Sequence, residues 1–363
     1  ARAAFGAPLN NLAVLHDFDG DGDTDVLGTE GFGSENAPDF VFGRNDGQGS
    51  FSRFTGVGSG SGDFLQGVAV ARLTPSDPER VFLSWHAGAS AVEALVVPSS
   101  PASQAWPLDT FAVSSQQDAL SHADIDRDGD QDLLSGTVWL ENYGPDFSPR
   151  VLSDASEPPD RNRLADIDGD GRLDAVVGYE AISTTGIVAW YRQPSNPGDL
   201  WPETVIAQVT GPMSLDVADM DGDGDLDVVV GEHDLTSPAT AGLYVFENVD
   251  GGGGTWAPHI VHVGDEHHDG AQLVDIDRDG DLDIVSIGWG HSRVLLYENR
   301  ATTGGGTSGA GGASGSGGSV GAGASGGTVA QSLVGAWGFE DTSGSLAKDS
   351  SGRGRHGVLE NGA

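Results

Sequence analysis

The stretch ADIDRDGDQDLL, residues 123–134, sets carboxylates at alternate positions: Asp124, Asp126 and Asp128, then Gly129, then Asp132 three residues on. Side-chain oxygens at positions 1, 3, 5 and 9, with a main-chain carbonyl near position 7, make an all-oxygen cage for a hard cation. The glycine permits the sharp turn that wraps the backbone around the ion. Left bare, four carboxylates this close would repel one another. The stretch therefore reads as a calcium site.

It recurs as HDFDGDGDTDVL (16–27), ADIDGDGRLDAV (165–176), ADMDGDGDLDVV (218–229) and VDIDRDGDLDIV (274–285). A sixth copy, ARLTPSDPERVF (71–82), aligns without a gap, but Arg72, Thr74, Ser76 and Arg80 stand at the four carboxylate places. The expectation is five metal loops and one that has lost its metal. An EF-hand loop ends on a bidentate glutamate and lies between helices. Here position 12 is Gly28, Ser135, Val177, Val230 or Ser286, and short β-branched runs such as Val228-Val229-Val230 follow. Such runs favour strands, so each loop is a strand-to-strand turn closed by an ion.

The elements that must hold these turns repeat with them. Loop starts lie 42 to 56 residues apart, a period that fits propeller blades. Each unit has a strand into the loop, a β-branched strand out of it and a third strand carrying an aromatic residue, as in Val138–Asn142, Val188–Tyr191, Leu243–Asn248 and Val294–Asn299. After a Gly/Pro turn, Phe51, Trp106, Phe147, Trp201 or Trp256 opens a fourth strand. The reading is all-β: a β-propeller of six four-stranded blades, with seven as the alternative. The segment Ala1–His16, with Phe5 at a fourth-strand place, is expected to complete the last blade and so remove free sheet edges.

Loops of the form D-x-D-x-D-G-x-x-D between strands, followed by a V-x-x-Y/F-E-N strand, resemble FG-GAP/VCBS repeats, which occur in integrin α-subunit heads, some fungal lectins and some polysaccharide lyases. The resemblance spans roughly residues 1–300. It implies a propeller with calcium in the loops, about five ions here. Its side-chain ligands would be Asp17, Asp19, Asp21 and Asp25; Asp124, Asp126, Asp128 and Asp132; Asp166, Asp168, Asp170 and Asp174; Asp219, Asp221, Asp223 and Asp227; and Asp275, Asp277, Asp279 and Asp283. Main-chain carbonyls of Asp23, Asp130, Arg172, Asp225 and Asp281 would complete the shells. Residues 301–331 are chiefly Gly, Ala, Ser and Thr and read as a flexible linker. Residues 332–363, with Trp337-Gly-Phe-Glu340 and Asp349-Ser-Ser-Gly-Arg-Gly-Arg-His-Gly357, are similar to the opening of a laminin-G-like (concanavalin-like) jelly roll. So short a piece cannot close a sandwich, and the chain reads as a mature or trimmed fragment that stops inside a second domain.

Composition bounds the function. The chain has 363 residues, 17 basic against 55 acidic side chains for a net charge of −38, and no cysteine. Such acidity disfavours nucleic acid and anionic membrane as partners. No apolar run reaches the length of a membrane span. With disulfides impossible, calcium linkage is the available source of extra stability for an extracellular or cell-surface chain.

Among the ten histidines, the run Glu266-His267-His268-Asp269 invites an acid–base or transition-metal role, yet neighbours in extended chain face opposite ways. A structural place is the stronger expectation for these, and for His16, His122 and His233. Trp139, Trp190, Trp201 and Trp256 recur at equivalent blade places and read as core, whereas Trp85 and Trp289, near His86 and His291, read as an exposed ligand face. No G-x-S-x-G elbow, P-loop or H-E-x-x-H is present. The expectation is a secreted, monomeric binding or adhesion module for polysaccharide or extracellular protein. A polysaccharide lyase working at the propeller mouth is the alternative.

Overall fold

The computed structural model describes residues 11–29, 39–48, 50–115, 119–154, 158–268, 271–291, 293–299, 332–338, 346–347 and 357–358. It is all-β, with six four-stranded antiparallel sheets as the blades of a β-propeller. Blade 1 is β1 (Asn11–His16), β2 (Asp25–Thr29), β3 (Asp39–Asn45) and β4 (Phe51–Ser59). Blade 2 is β5 (Leu65–Ala71), β6 (Arg80–Trp85), β7 (Ala91–Val96) and β8 (Leu108–Ser114). Blade 3 is β9 (Leu120–Ala123), β10 (Asp132–Ser135), β11 (Val138–Asn142) and β12 (Phe147–Val151). Blade 4 is β13 (Pro159–Ala165), β14 (Asp174–Tyr179), β15 (Thr185–Tyr191) and β16 (Glu203–Thr210). Blade 5 is β17 (Ser214–Ala218), β18 (Asp227–Gly231), β19 (Gly242–Asn248) and β20 (Trp256–Val263). Blade 6 is β21 (Gln272–Val274), β22 (Asp283–Ile287), β23 (Arg293–Glu298) and β24 (Ser332–Gly338).

In every blade the strands pair in chain order. The chain divides into two compact units, one carrying blades 1–3 and the other blades 4–6. Within each unit the first strands of successive blades are neighbours: β1 by β5 and β5 by β9, then β13 by β17 and β17 by β21.

The hydrophobic pattern explains this layering. The second strands are buried along their whole length in β14 and β18, which is why they read as continuous β-branched runs instead of alternating ones. The fourth strands β16 and β20 have no fully buried residue and form the outer rim of their blades. The cores lie between successive blades of a unit. Leu27, Phe42, Leu83 and Trp106 belong to one, and Phe82, Phe111, Leu133 and Phe147 to the next. In the second unit the corresponding cores gather Val176, Trp190, Val228 and Phe246, then Val229, Leu243, Ile284 and Tyr297. Truncating one of these to alanine should cost about 2–5 kcal/mol.

Two features differ from the expectation. The strand beside β23 is β24, from a stretch read as the start of a jelly roll; its register runs from Arg293↔Gly338 to Glu298↔Ser332. The Leu333–Trp337 run, apolar in sequence, occupies the edge of β23 that β22 leaves open, and an open edge is a template for any such strand. The opening segment expected at that place lies outside the described residues, as do most of the remaining residues of the jelly-roll stretch, where β25 (Leu346–Ala347) pairs with β26 (Gly357–Val358). Second, Trp85 is not on a ligand face: it is fully buried. Gly60 and Gly62 lie flat against its indole, where any Cβ would overlap the ring.

Candidate metal centres

The aspartate loops join the first and second strands in blades 1, 3, 4, 5 and 6. The position-9 carboxylate is the pin of each hairpin. Asp25, Asp132, Asp174, Asp227 and Asp283 are essentially fully buried. One oxygen of each accepts the amide of the position-2 residue: Phe18 at 3.1 Å, Ile125 at 3.0 Å, Ile167 at 3.1 Å, Met220 at 2.9 Å and Ile276 at 3.0 Å. The other oxygen accepts an amide at the end of the third strand, from Asn45, Asn142, Gln193, Asn248 or Asn299, at 2.7–3.0 Å. One side chain thus ties three segments of a blade together.

The rest of the loop folds onto its own carboxylates. The position-6 glycine amide donates to the position-1 aspartate in every copy, at 2.8–3.2 Å. That glycine needs the left-handed backbone, with φ of 94° at Gly22 and 103° at Gly129. Position 4 is left-handed too, and there Arg127 and Arg278 hold φ of 65° without being glycine. The position-5 carboxylate accepts the position-7 amide, for example Asp130 on Asp128 at 3.1 Å and Asp225 on Asp223 at 2.9 Å.

These turns bring carboxylate oxygens together. The groups Asp17–Asp19–Asp25, Asp124–Asp126–Asp132, Asp166–Asp168–Asp174 and Asp219–Asp221–Asp227 each place three oxygens within 4.8 Å of one another; in blade 6 the group is Asp275, Asp277 and Asp279. The position-5 residues Asp21, Asp128, Asp170 and Asp223 stand outside those triads, and Asp283 stands outside the blade 6 group. Each triad could hold a metal ion, and one observation favours it. Oδ1 of Asp124 and of Asp166 is buried with no hydrogen-bond partner in the protein, an acceptor left over for something else. Burial, reinforced by neighbouring carboxylates, pushes Asp132, Asp174 and Asp227 up to about 7 and Asp221 up to about 6. An all-oxygen anionic donor set suits a hard cation.

The sixth copy, in blade 2, keeps the hairpin and replaces the acids. Arg72 Nη1 donates to the carbonyl of Asp77 at 3.1 Å, and Nη2 lies 3.5 Å from Glu79. Thr74 donates its amide to Asp77 at 3.0 Å. Val97, at the end of the third strand, donates to the carbonyl of Glu79 at 2.9 Å in place of the missing position-9 carboxylate.

At the other end of the strands of blades 5 and 6 lies a second polar group. Glu266, wholly buried, accepts Nδ1–H of His233 at 2.5 Å and the amides of His268 and Gly290, both at 2.8 Å. These donors, His233 foremost, hold its carboxyl below the usual range despite burial. The His233 and His268 rings lie 4.2 Å apart, and Trp289, 58% exposed, meets His268 edge-on. His267 is buried, its Nδ1 2.7 Å from the Ser286 hydroxyl. Sequence reading singled out Trp289 but missed Glu266 as the hub, since its donors come from residues 233, 268 and 290.

Fold and loops together define a β-propeller in which five of the six blades carry aspartate-rich hairpins. Residues 166–230, from the blade 4 hairpin into β18, match the family model of the FG-GAP-like repeat. No curated protein sequence matches the chain. Among solved structures it is similar to the biofilm matrix protein Bap1 of V. cholerae, at 11% identity over 79% of this chain and 67% of that one, with a TM-score of 0.36. It is also similar to the exotype rhamnogalacturonan lyase YesX, at 10% identity over 77% and 70%, with a TM-score of 0.37. A third is the rhamnogalacturonan lyase PL11 of Bacillus licheniformis, at 14% identity over 79% and 55%, with a TM-score of 0.26. Among the described residues no helix is long and apolar enough to cross a membrane.

Proposed function

We propose that the chain is an extracellular calcium-binding propeller that serves as a binding module for polysaccharide or protein. The observation that carries the calcium half is the convergence of three carboxylate oxygens within 4.8 Å in five separate hairpins. An ion in each would be held by the position 1, 3 and 9 carboxylates in blades 1, 3, 4 and 5 and by Asp275, Asp277 and Asp279 in blade 6. Position 5 side chains elsewhere, and the carbonyls of Asp23, Asp130, Arg172, Asp225 and Asp281, would supply further oxygens. Calcium takes six to eight of these and tolerates irregular geometry. Bound to the native state alone, it would stabilise the blades.

For the ligand, the exposed indole of Trp289 beside His268 is the docking place we favour. An aromatic face stacks on apolar sugar faces, and a polar rim supplies hydrogen bonds. Screening the full chain against glycans, with and without calcium, tests the module. Retention of a glycan that Trp289→Ala loses, with melting behaviour unchanged, supports it; binding that survives Trp289→Ala moves the docking place elsewhere.

One observation favours the lyase reading. Glu266 lies 2.5 Å from Nδ1 of His233 and fixes the orientation of that imidazole, the arrangement of a positioned acid–base pair. Unsaturated sugar product formed by the wild-type chain and abolished by His233→Ala would make this an enzyme.

A further inference from the structure

The residue just before the clasping amide of the third strand differs among the five hairpins. Because Asn45, Asn142, Gln193, Asn248 and Asn299 all give their amide to the position-9 aspartate, the residue preceding each is structurally equivalent. It is Arg44 in blade 1 and Arg192 in blade 4. It is Glu141, Glu247 and Glu298 in blades 3, 5 and 6.

The two kinds of side chain meet the loops in opposite ways. Arg44 reaches Asp19 through Nε and Asp21 through Nη2 at 2.8 Å. Arg192 lies 2.5 Å from Asp168 through Nε and 3.1 Å from Asp170 through Nη2, and Arg172 of the same loop also pairs with Asp170. A guanidinium thus already sits on the position 3 and 5 carboxylates. In the other three blades the residue at the equivalent strand position is a glutamate, and no cation is supplied from that position. Glu141 is itself held by Arg150 at 2.7 Å and Glu247 by His259 at 2.5 Å.

We propose that this one position sorts the metal sites into two classes. Blades 3, 5 and 6 bind calcium tightly, and blades 1 and 4 bind it weakly, because there a tethered arginine competes for the same oxygens. The tight sites are structural; the weak pair exchanges with the surroundings and reports ambient calcium. The proposal rests on the calcium reading above. Even at the dielectric of water, exchanging a cation for an anion within several ångströms of a divalent ion changes its affinity by about tenfold or more. Screening leaves close charges largely coupled.

Calorimetric titration of the metal-free full chain with calcium tests this. The expected isotherm has two phases, three ions in the tighter and two in the weaker. Arg192→Glu should move one ion from the weak phase to the tight one, and Glu247→Arg one in the opposite direction, each by tenfold or more. Arg192→Gln, which removes the cation while adding no charge, should move the same site part of the way and guards against a folding defect in the first variant. Uptake in a single phase that none of the three variants alters would overturn the two classes and leave calcium binding standing. No uptake at all would sink the calcium reading with it.

Discussion

Blades 2 and 3 are neighbours in one unit and build the same hairpin by different means. In blade 3 the turn closes on Asp132, which gathers the amides of Ile125 and Asn142 beneath a cluster of carboxylates. In blade 2 Arg72 spans the turn from Asp77 to Glu79 as a covalently attached cation. One clasp joins the two frames: the carbonyl of Leu73, at position 2 of blade 2, accepts the amide of Gln131 at 2.8 Å and Nδ2 of Asn142 at 3.4 Å from blade 3. In the other unit Asn248 reaches Ile167 at 3.1 Å and Asn299 reaches Met220 at 2.8 Å in the same manner. The strands and the clasp therefore define the hairpin. On the calcium reading an ion would neutralise what the turn concentrates, as Arg72 does in blade 2.

This comparison can be broken at several points. Removing calcium should have the largest effect, because one site at about 1,000 times its dissociation constant contributes roughly 4 kcal/mol. We expect chelation to lower the melting temperature by about 10 °C or more, read by calorimetry. The pH dependence of the chelated protein has a definite sign. Asp132, Asp174 and Asp227 titrate near 7 in the fold, against about 4 in an unfolded chain. Between those values the native state holds more protons than the unfolded one, so stability falls as pH rises through this window. The chelated protein should melt higher at pH 5 than at pH 8, and saturating calcium should abolish or reverse that order.

Next in size is Asp132→Ala, which strands the two buried amides of Ile125 and Asn142 and should cost about 3 kcal/mol or more. Arg80 already stands at the equivalent place in blade 2, so Arg80→Ala should leave the calcium dependence of melting unchanged. Asn299→Ala deletes one clasp and should cost about 1–2 kcal/mol whether or not calcium is present. Arg72→Ala removes a half-exposed pairing and should cost less than about 1 kcal/mol. Arg127→Gly relieves a left-handed residue and should stabilise by a few tenths to about 1 kcal/mol in chemical denaturation.

Much of this was legible in the chain because a turn folded onto its own carboxylates demands fixed spacing. Five in-frame copies of D-x-D-x-D-G-x-x-D, each followed by a β-branched run, disclose both the hairpin and the blade. The copy at Arg72 is visible only through its flanking strands. The burial of Trp85 was not legible, since it depends on Gly60 and Gly62 approaching the ring from an earlier segment. Nor was the role of Arg44 and Arg192: the letters stand in the sequence, but only the strand register carries their side chains onto the loops. The Glu266 hub was hidden for a similar reason, its partners being drawn from three separate loops.

The most direct test of the account is the number of calcium ions the intact chain binds at equilibrium in dialysis against saturating calcium, counted by elemental analysis. Five per chain, falling to four in Asp221→Ala and staying at five in Arg72→Ala, is the predicted result. A chain that holds none, or whose count does not respond to Asp221, would contradict it.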